Sequence, residues 1–297
     1  MDIKEIINWN ELAKLYWHGR SWVRNVENIE NFWDEKAEAF AQEIRNRDTD
    51  NYVKKIIKII KNRSELKAKD TVLDIGCGSG ILTLPMAKMC KKVSACDISK
   101  EMLAILDGRA KESNLKNIVS IHRAWMDIKP GKDLKKHDIV ISHRSFGISS
   151  CYRNSGIDYK KSILKMHSYA KKAVFIIYPA YNYLLDYPDF IKKFPRIIFN
   201  KQEKWAALLT YILACLEDLY PTVEYLNFNH TKKFSNLNEM VEFFNSDIAV
   251  KAKKNFKGSL TRYFLKKFKN PEKEIILKVR KRVKIIWWLK EHCLSRF

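Results

Sequence analysis

The stretch Val72-Leu73-Asp74-Ile75-Gly76-Cys77-Gly78-Ser79-Gly80-Ile81-Leu82-Thr83 decides the fold. It begins as a short apolar run, which is typical of a buried strand, and continues into a loop with a glycine at every second position. Alternate glycines let a ligand approach the backbone closely, and a helix after the loop offers its free N–H groups to that ligand. The segment therefore predicts a strand, a binding loop and a helix in succession.

The loop differs from two common phosphate-binding loops. A dinucleotide fingerprint would have a glycine at its sixth position, where this chain has Ile81, and Asp74 would repel a pyrophosphate. No Gly-Lys-Ser/Thr follows, so the P-loop pattern fails as well. A carboxylate just before the loop would instead attract the ammonium group of a ligand.

Apolar runs alternate with helical segments on both sides of this loop. Strands alternating with helices require crossover connections, which give a mostly parallel sheet with helices on both faces. The pattern therefore predicts an α/β fold with N-terminal helices within residues 3–62. Strands are predicted at 71–75, 93–96, 118–122, 139–142, 173–178, 223–228 and 283–289, and helices near 81–90, 100–113, 158–171 and from 205.

Residues 72–80 match the pattern hydrophobic-hydrophobic-acidic-x-Gly-x-Gly-x-Gly at every position. This is the first motif of the class I S-adenosylmethionine-dependent methyltransferases, which the sequence resembles over about residues 30–180. The resemblance implies a doubly wound, seven-stranded, mostly parallel Rossmann-like sheet with an antiparallel last strand. It also implies that Asp97, 23 residues after Asp74, accepts both ribose hydroxyls, that Ile98 flanks the adenine, and that Ser99 caps the next helix.

The same resemblance identifies S-adenosylmethionine as the cofactor and assigns its contacts. An aspartate often contacts the adenine amino group in this family, but Trp125 occupies that position here and Asp127 follows two residues later. The predicted cofactor-binding residues are Asp74, Gly76, Cys77, Gly78, Gly80, Asp97, Ile98, Met102, Trp125, Met126, Asp127 and Ser142.

Methyl transfer from a sulfonium needs a nucleophile held at about 3 Å and aligned, and a base if the nucleophile carries a proton. His143 is the predicted base, because in this family the end of the strand at 139–142 faces the transferable methyl. A purely structural histidine is an equal alternative. His122 and Asp127, and Tyr16 and His18 from the N-terminal segment, are further candidates for the base. Arg144 could bind an acidic substrate.

The acceptor chamber is predicted from two aromatic-rich segments. Residues 1–65 are expected to form a helical lid on a methyltransferase domain at 66–297, and 181–220 a substrate-side insertion. An aromatic lining suits a small, partly hydrophobic acceptor, although ordinary core packing or a dimer contact explains it equally well. The predicted substrate residues are His143, Arg144, Tyr16, Trp17, His18, Tyr181 and Trp205.

The chain carries a net charge of +22, and residues 251–290 hold 15 Lys or Arg against 2 Glu. Such a block could attract RNA, but charge runs on helices usually serve as a solvated surface. Three functions therefore remain. Methyl transfer to a small molecule is favoured, an RNA or protein methyltransferase is second, and a cofactor-binding protein without catalysis is third.

The remaining expectations concern location and assembly. Without an apolar run of about 18 residues or a secretory signal, we expect no membrane span. Six scattered cysteines without metal-ligand spacing predict a reduced, cytoplasmic chain and no metal site. A monomer and a homodimer both fit the sequence.

Overall fold

A computed structural model describes residues 26–45, 49–129, 131–146, 151–152, 156–178, 202–246, 256–268, 270 and 272–291. Two helices precede the glycine loop, which agrees with the helical prediction for the described part of residues 3–62. Helix α3 contains Pro85 and is shorter than the predicted 81–90. The helices are α1 Val26–Arg45, α2 Thr49–Ser64, α3 Thr83–Ala87, α4 Lys100–Glu112, α5 Tyr159–Tyr169, α6 Gln202–Leu216, α7 Leu237–Ser246 and α8 Phe256–Leu265.

The strands agree with the predicted positions and differ mainly in length. The last two extend well beyond the predicted 223–228 and 283–289, and the short antiparallel pair of 151–152 with 156–157 is an addition to the prediction. The strands are β1 Thr71–Ile75, β2 Lys92–Asp97, β3 Ile118–His122, β4 His137–His143, β5 Cys151–Tyr152, β6 Gly156–Ile157, β7 Ala170–Tyr178, β8 Thr222–Phe234 and β9 Ile275–Leu289.

Seven strands form one sheet in the order β3-β2-β1-β4-β7-β9-β8. Neighbouring strands from β3 to β7 run parallel, and β9 runs antiparallel to β7. The predicted doubly wound, seven-stranded sheet with an antiparallel last strand is confirmed. The strand order reverses between β1 and β4, and in such sheets ligands bind outside the carboxyl ends of the strands at this switch point.

The central strands are buried on both faces, which explains their continuous apolar sequences. Val72, Leu73, Val140, Val174 and Ile176 are fully buried. Helices packed on both faces of the sheet exclude water from these side chains. Burial of their apolar surface is therefore the main contribution to the stability of the fold. This core fixes the carboxyl ends of β1, β2 and β4, where the glycine loop lies.

The chain divides into two compact units. The first comprises residues 1–179, 204–226 and 283–297, and the second comprises 180–203 and 227–282. In the second unit, α7 and α8 pack around Phe234, Phe244 and Phe264. The division at residue 65/66 and the insertion at 181–220 stay predictions.

None of the helices in the described part of the chain is long and apolar enough to cross a membrane. The most apolar of the predicted helices, which starts near Trp205, is α6. Its residues Leu209, Leu213 and Ala214 are buried in the main core of the first unit, as expected for a buried rather than a lipid-facing helix.

Candidate functional site

The glycine loop follows β1 in a conformation that requires glycine. Gly76, Gly78 and Gly80 have φ of 66°, 53° and 86°, in the left-handed region that other residues seldom adopt. The N–H groups of Gly76 and Cys77 donate to the carbonyl of Cys96 at 2.7 and 3.1 Å. The loop is therefore tied to the end of β2, and its backbone lies open to a ligand in the adjoining cleft.

Asp97 ends β2 and links the glycine loop to helix α4. Its Oδ2 accepts a hydrogen bond from the Gly78 N–H at 2.7 Å, and its Oδ1 accepts one from the Ser99 N–H at 2.9 Å. Burial raises the pKa of Asp97, and these hydrogen bonds oppose that rise. Ser99 Oγ in turn accepts from the Met102 N–H at 3.1 Å, which confirms the predicted N-cap.

Asp74 lies just before the loop and is 1% exposed. Its Oδ2 accepts a hydrogen bond from Thr83 Oγ at 2.6 Å, whereas its Oδ1 has no partner among the described residues. Burial, with a smaller contribution from Asp97, raises the pKa of Asp74 to about 7. A buried carboxylate oxygen without a partner is costly, so a ligand cation or donor at this place would relieve the cost.

Helix α1 forms a wall of the site that the sequence did not reveal. Trp33 and Phe40 line the cleft, and their ring centroids are 5.7 Å apart in an edge-to-face arrangement. Asp34 fastens the helix, because its Oδ1 accepts from Ser99 Oγ at 2.6 Å and from the Glu101 N–H at 3.2 Å. The helical spacing of the α1 aromatics was visible in the sequence, but spacing alone does not separate a core face from a cleft face.

His143 ends β4, lines the cleft and is 7% exposed. Its Nε2 lies 2.6 Å from the hydroxyl of Tyr52 on α2. Burial, together with the neighbouring Arg144, lowers the pKa of His143 to about 3. The imidazole is therefore neutral near pH 7 and is a weak proton acceptor, which suits a group that orients a substrate by a hydrogen bond.

The two residues after His143 complete this edge of the site. Arg144 is exposed and has a φ of 60°, and its guanidinium carbon lies 5.9 Å from the centroid of the Phe40 ring. Ser145 Oγ donates to the carbonyl of Ile75 at 2.7 Å and lies 2.9 Å from Ser142 Oγ. These bonds hold the end of β4 against the end of β1.

These elements enclose a cleft of about 850 Å³ that is continuous with solvent. Several of its residues were predicted as cofactor or substrate contacts, namely Gly76, Cys77, Gly78, Asp97, Ile98, Met102, Trp125, His143 and Arg144. The residues that the prediction missed are Trp33, Phe40, Ser79, Ile81, Cys96, Arg123, Ala124 and Ser145.

Other predicted residues lie around the cleft without lining it. Asp74, Gly80 and Ser142 do not line it, and Met126 and Asp127 belong to the short 3-10 turn at Trp125–Asp127. Lys165 Nζ donates to the carbonyls of Trp125 and Met126 at 2.6 and 3.1 Å, which holds that turn in place. Their contacts to a ligand stay predictions.

Part of the predicted acceptor chamber cannot be placed. Tyr16, Trp17, His18 and Tyr181 lie outside the described residues. Trp205 lies in α6, but its side chain is likewise outside the description. Their roles stay predictions. Among the described residues, no group of three or more His, Cys, Asp or Glu side chains comes together as a metal site would require.

A sheet in the order β3-β2-β1-β4-β7-β9-β8 with β9 antiparallel to β7, a glycine loop after β1 and an acid at the end of β2 agree with the class I methyltransferase fold. Residues 66–255 match the profile of a family described as "Methyltransferase domain", and the chain belongs to that family. The chain therefore carries a methyltransferase domain, and its site has groups that fit S-adenosylmethionine, the cofactor that the sequence predicts. The unpaired Asp74 Oδ1 and the open glycine backbone fit that molecule's ammonium and carboxylate groups.

Relatives of the chain act on different acceptors. It is 30% identical over 146 residues to the probable ribosomal RNA small subunit methyltransferase A of Methanosphaera stadtmanae, covering 44% of this chain and 52% of that protein. It is 32% identical over 142 residues to the ubiquinone biosynthesis O-methyltransferase of Pelagibacter ubique, covering 47% and 51%. The chain thus spans about half the length of these curated relatives.

A solved structure similar to this fold is that of magnesium protoporphyrin IX methyltransferase from Synechocystis with bound SAH. The two chains are 11% identical with a TM-score of 0.46, and the alignment covers 88% of this chain and 98% of the other. A superposition this loose has no bearing on the acceptor.

Proposed function

We propose that this methyltransferase acts on a small-molecule acceptor bound in the cleft beside β1 and β4. The observation that carries the proposal is the enclosure of the cleft by Trp33 and Phe40 of α1, opposite the glycine loop. A cleft with aromatic walls has the lining typical of sites for small, partly hydrophobic ligands. The ubiquinone-pathway relative, an O-methyltransferase, also favours this class of acceptor.

The cofactor would be held by the predicted residues that the fold brings together. Asp97, at the end of β2, would accept the ribose hydroxyls, since each of its oxygens has a lone pair beyond the Gly78 and Ser99 bonds. Ile98 and Trp125 line the cleft on that side and would flank the adenine. Asp74 would attract the ammonium group through its unpaired oxygen.

When bound, S-adenosylmethionine supplies an electrophilic sulfonium methyl. The chain's own residues then have to orient the acceptor atom and exclude water. His143, neutral and fixed by Tyr52, would orient the acceptor's O–H or N–H by a hydrogen bond, and the acceptor's proton would leave to solvent once the bond to carbon has formed. Trp33 and Phe40 would shield that atom from solvent.

A second candidate is methyl transfer to RNA or to a protein. It is favoured by the relative named for ribosomal RNA and by the basic block at 251–290. A relative from Campylobacter lari, named ribosomal protein L11 methyltransferase, is 45% identical over 71 residues and matches 24% of either chain. A cofactor-binding protein that transfers no methyl group to any acceptor is the third alternative.

The candidates separate by the fate of a labelled methyl group. Purified protein and methyl-labelled S-adenosylmethionine are incubated with a cell extract, which is then divided into small molecules, RNA and protein. We expect label in the small-molecule fraction, its loss with Asp97→Ala, and its retention with Asp107→Ala, an exposed aspartate on α4. Label only in RNA or protein would overturn the proposal, and no label in any fraction would support the non-catalytic alternative.

A further inference from the structure

We propose that the site selects a planar acceptor that carries a carboxylate, and that Arg144 binds this carboxylate while Phe40 and Trp33 contact the plane. This inference rests on the proposed function, because it names the class of small molecule that the cleft would accept. It follows from three features of Arg144, which are its contacts, its backbone conformation and the lack of a carboxylate partner among the described residues.

The contacts of Arg144 form a surface for a flat molecule. Its guanidinium carbon lies 5.9 Å from the centroid of Phe40, within cation–π distance, and both residues line the cleft. Trp33 meets Phe40 edge to face at an interplanar angle of 75°. An aromatic or conjugated acceptor could therefore lie against these rings with an acidic substituent at the guanidinium.

The backbone at Arg144 holds the side chain at the cleft under strain. Its φ of 60° lies in the left-handed region, which a residue with a long side chain seldom adopts. The Arg144 N–H donates to the carbonyl of Ile177 at 2.8 Å, and the next residue, Ser145, is bonded to Ile75. Strain of this kind is retained where the surrounding structure enforces it, which is common at ligand-binding sites.

In the part of the chain that the structure describes, the charge at this edge of the cleft is positive and no carboxylate compensates it. The other cleft arginine, Arg123, already pairs with Asp133 at 2.8 Å. Within the described ranges, no carboxylate lies at ion-pair distance from Arg144. Asp97 belongs to β2, two strands away from β4 in the sheet, which places the two strand ends about 10 Å apart. A ligand carboxylate could therefore form a forked pair with Arg144 away from the acidic side of the site.

The test compares acids with their neutral amides. Protein saturated with S-adenosylhomocysteine is titrated with benzoate and benzamide, and with 2-naphthoate and 2-naphthamide. We expect each carboxylate to bind about tenfold more tightly than its amide, as a charge-assisted hydrogen bond would give. Arg144→Gln should abolish this preference, and Lys111→Gln, which removes an equal charge from an exposed position at the end of α4, should retain it.

Two results would overturn the inference. One is equal affinity for acid and amide in both pairs, and the other is a preference that survives Arg144→Gln. The saturation step separates this failure from that of the proposed function. If S-adenosylhomocysteine binds and label still enters small molecules, only the acceptor class is wrong. If no label enters small molecules, the proposed function fails.

Discussion

Asp74 holds a proton near neutral pH because its carboxyl is buried beside a second acid. Its pKa of about 7 means that a large share of the free protein carries Asp74 in its neutral form at pH 6. A cofactor ammonium near its unpaired Oδ1 would favour the ionised form and lower that pKa. Cofactor binding should then release a proton, and affinity should rise with pH through this range.

We therefore predict that the affinity for S-adenosylhomocysteine rises by up to about tenfold from pH 6 to pH 8. Asp74→Asn should weaken binding and remove most of this pH dependence, whereas Asp107→Asn should preserve both. Calorimetry in two buffers that differ in ionisation enthalpy measures the released proton directly. Affinity that falls with rising pH would show that no cation meets Asp74.

Arg144 provides a test of whether its strain serves ligand binding. Replacement by glycine removes the cost of the left-handed conformation, about 1–2 kcal/mol. Glycine also loses more chain entropy on folding, which offsets about half of that gain in stability. We predict that Arg144→Gly raises the free energy of unfolding by about 0.5–1 kcal/mol and abolishes the preference for carboxylates. Urea denaturation measures the first effect. A loss of stability would mean that the Arg144–Phe40 contact is structural.

Among single residues, the sequence predicted those that lie at a fixed spacing from the glycine loop. Asp74, Asp97 and Ser99 could be assigned because their spacing from the glycines fixes their place at the strand ends. Tyr52 and Phe40 could not, because their positions at the site depend on how the N-terminal helices pack on the sheet. That packing is a tertiary property for which the local pattern gives no direction.

The glycine loop packs against helix α4, and one glycine in each tests a different effect. Gly80 tests the steric fit of the loop, and Gly108 tests the helix propensity of α4. A Cβ on Gly80 would lie 2.4 Å from Leu106 Cδ1, at a φ of 86°, whereas a Cβ on Gly108 would have nothing within 4 Å. We predict that Gly80→Ala lowers the free energy of unfolding by about 2–4 kcal/mol. Gly108→Ala, in the exposed interior of α4, should raise it by about 0.5–1 kcal/mol.

Thermal or chemical unfolding of both variants measures these changes, and each serves as the other's control. Similar effects of the two substitutions would contradict the described packing of the loop against Leu106. The sign of the Gly108 change also tests whether α4 is helical throughout Lys100–Glu112.

Helix α1 is anchored to the start of α4, beside the proposed cofactor site. Asp34 lies outside the cleft lining, but it accepts bonds from Ser99 and Glu101 at the start of α4. We predict that Asp34→Ala weakens S-adenosylhomocysteine binding by about tenfold, since Trp33 and Phe40 lose their fixed position. The exposed neighbour Glu35→Ala should bind normally in the same titration. Equal affinity in both variants would make α1 irrelevant to the site.

The elements themselves were largely predictable, and the errors have physical causes. Strands β1, β2, β3, β4 and β7 were found because burial on both faces leaves a continuous apolar signal. In β9, residues 278–282 hold four Lys or Arg in five positions, so the predicted strand began only at 283. The two-residue strands β5 and β6 are too short to carry any periodicity.

The whole molecule carries a net charge of +22, and its second compact unit was not predicted. That unit has no Gly- or Pro-rich linker to mark it, and its two segments are separated in the sequence. In the part of the basic block that is described, Lys257 pairs with Glu242. A charged surface of this kind has a function in catalysis only if the acceptor is a polyanion.

We therefore predict that kcat/KM for the small-molecule acceptor changes by less than about threefold between 50 and 200 mM salt. A protein that binds nucleic acid through six or more phosphate contacts would lose about 10³-fold or more in affinity over that range. Steady-state kinetics with the unlabelled small-molecule fraction as the source of the acceptor provides the measurement. A steep fall of kcat/KM with rising salt concentration would contradict this prediction and favour RNA as the acceptor.

The central claim is tested most directly by calorimetric titration of the whole chain with S-adenosylhomocysteine and, in parallel, with NADH. We predict saturable binding of the first at one site and no binding of the second, because Asp74 and Ile81 disfavour a pyrophosphate. Asp97→Ala should abolish the binding while the circular dichroism spectrum stays unchanged. Binding of NADH, or undiminished affinity of Asp97→Ala for S-adenosylhomocysteine, would contradict the proposed site.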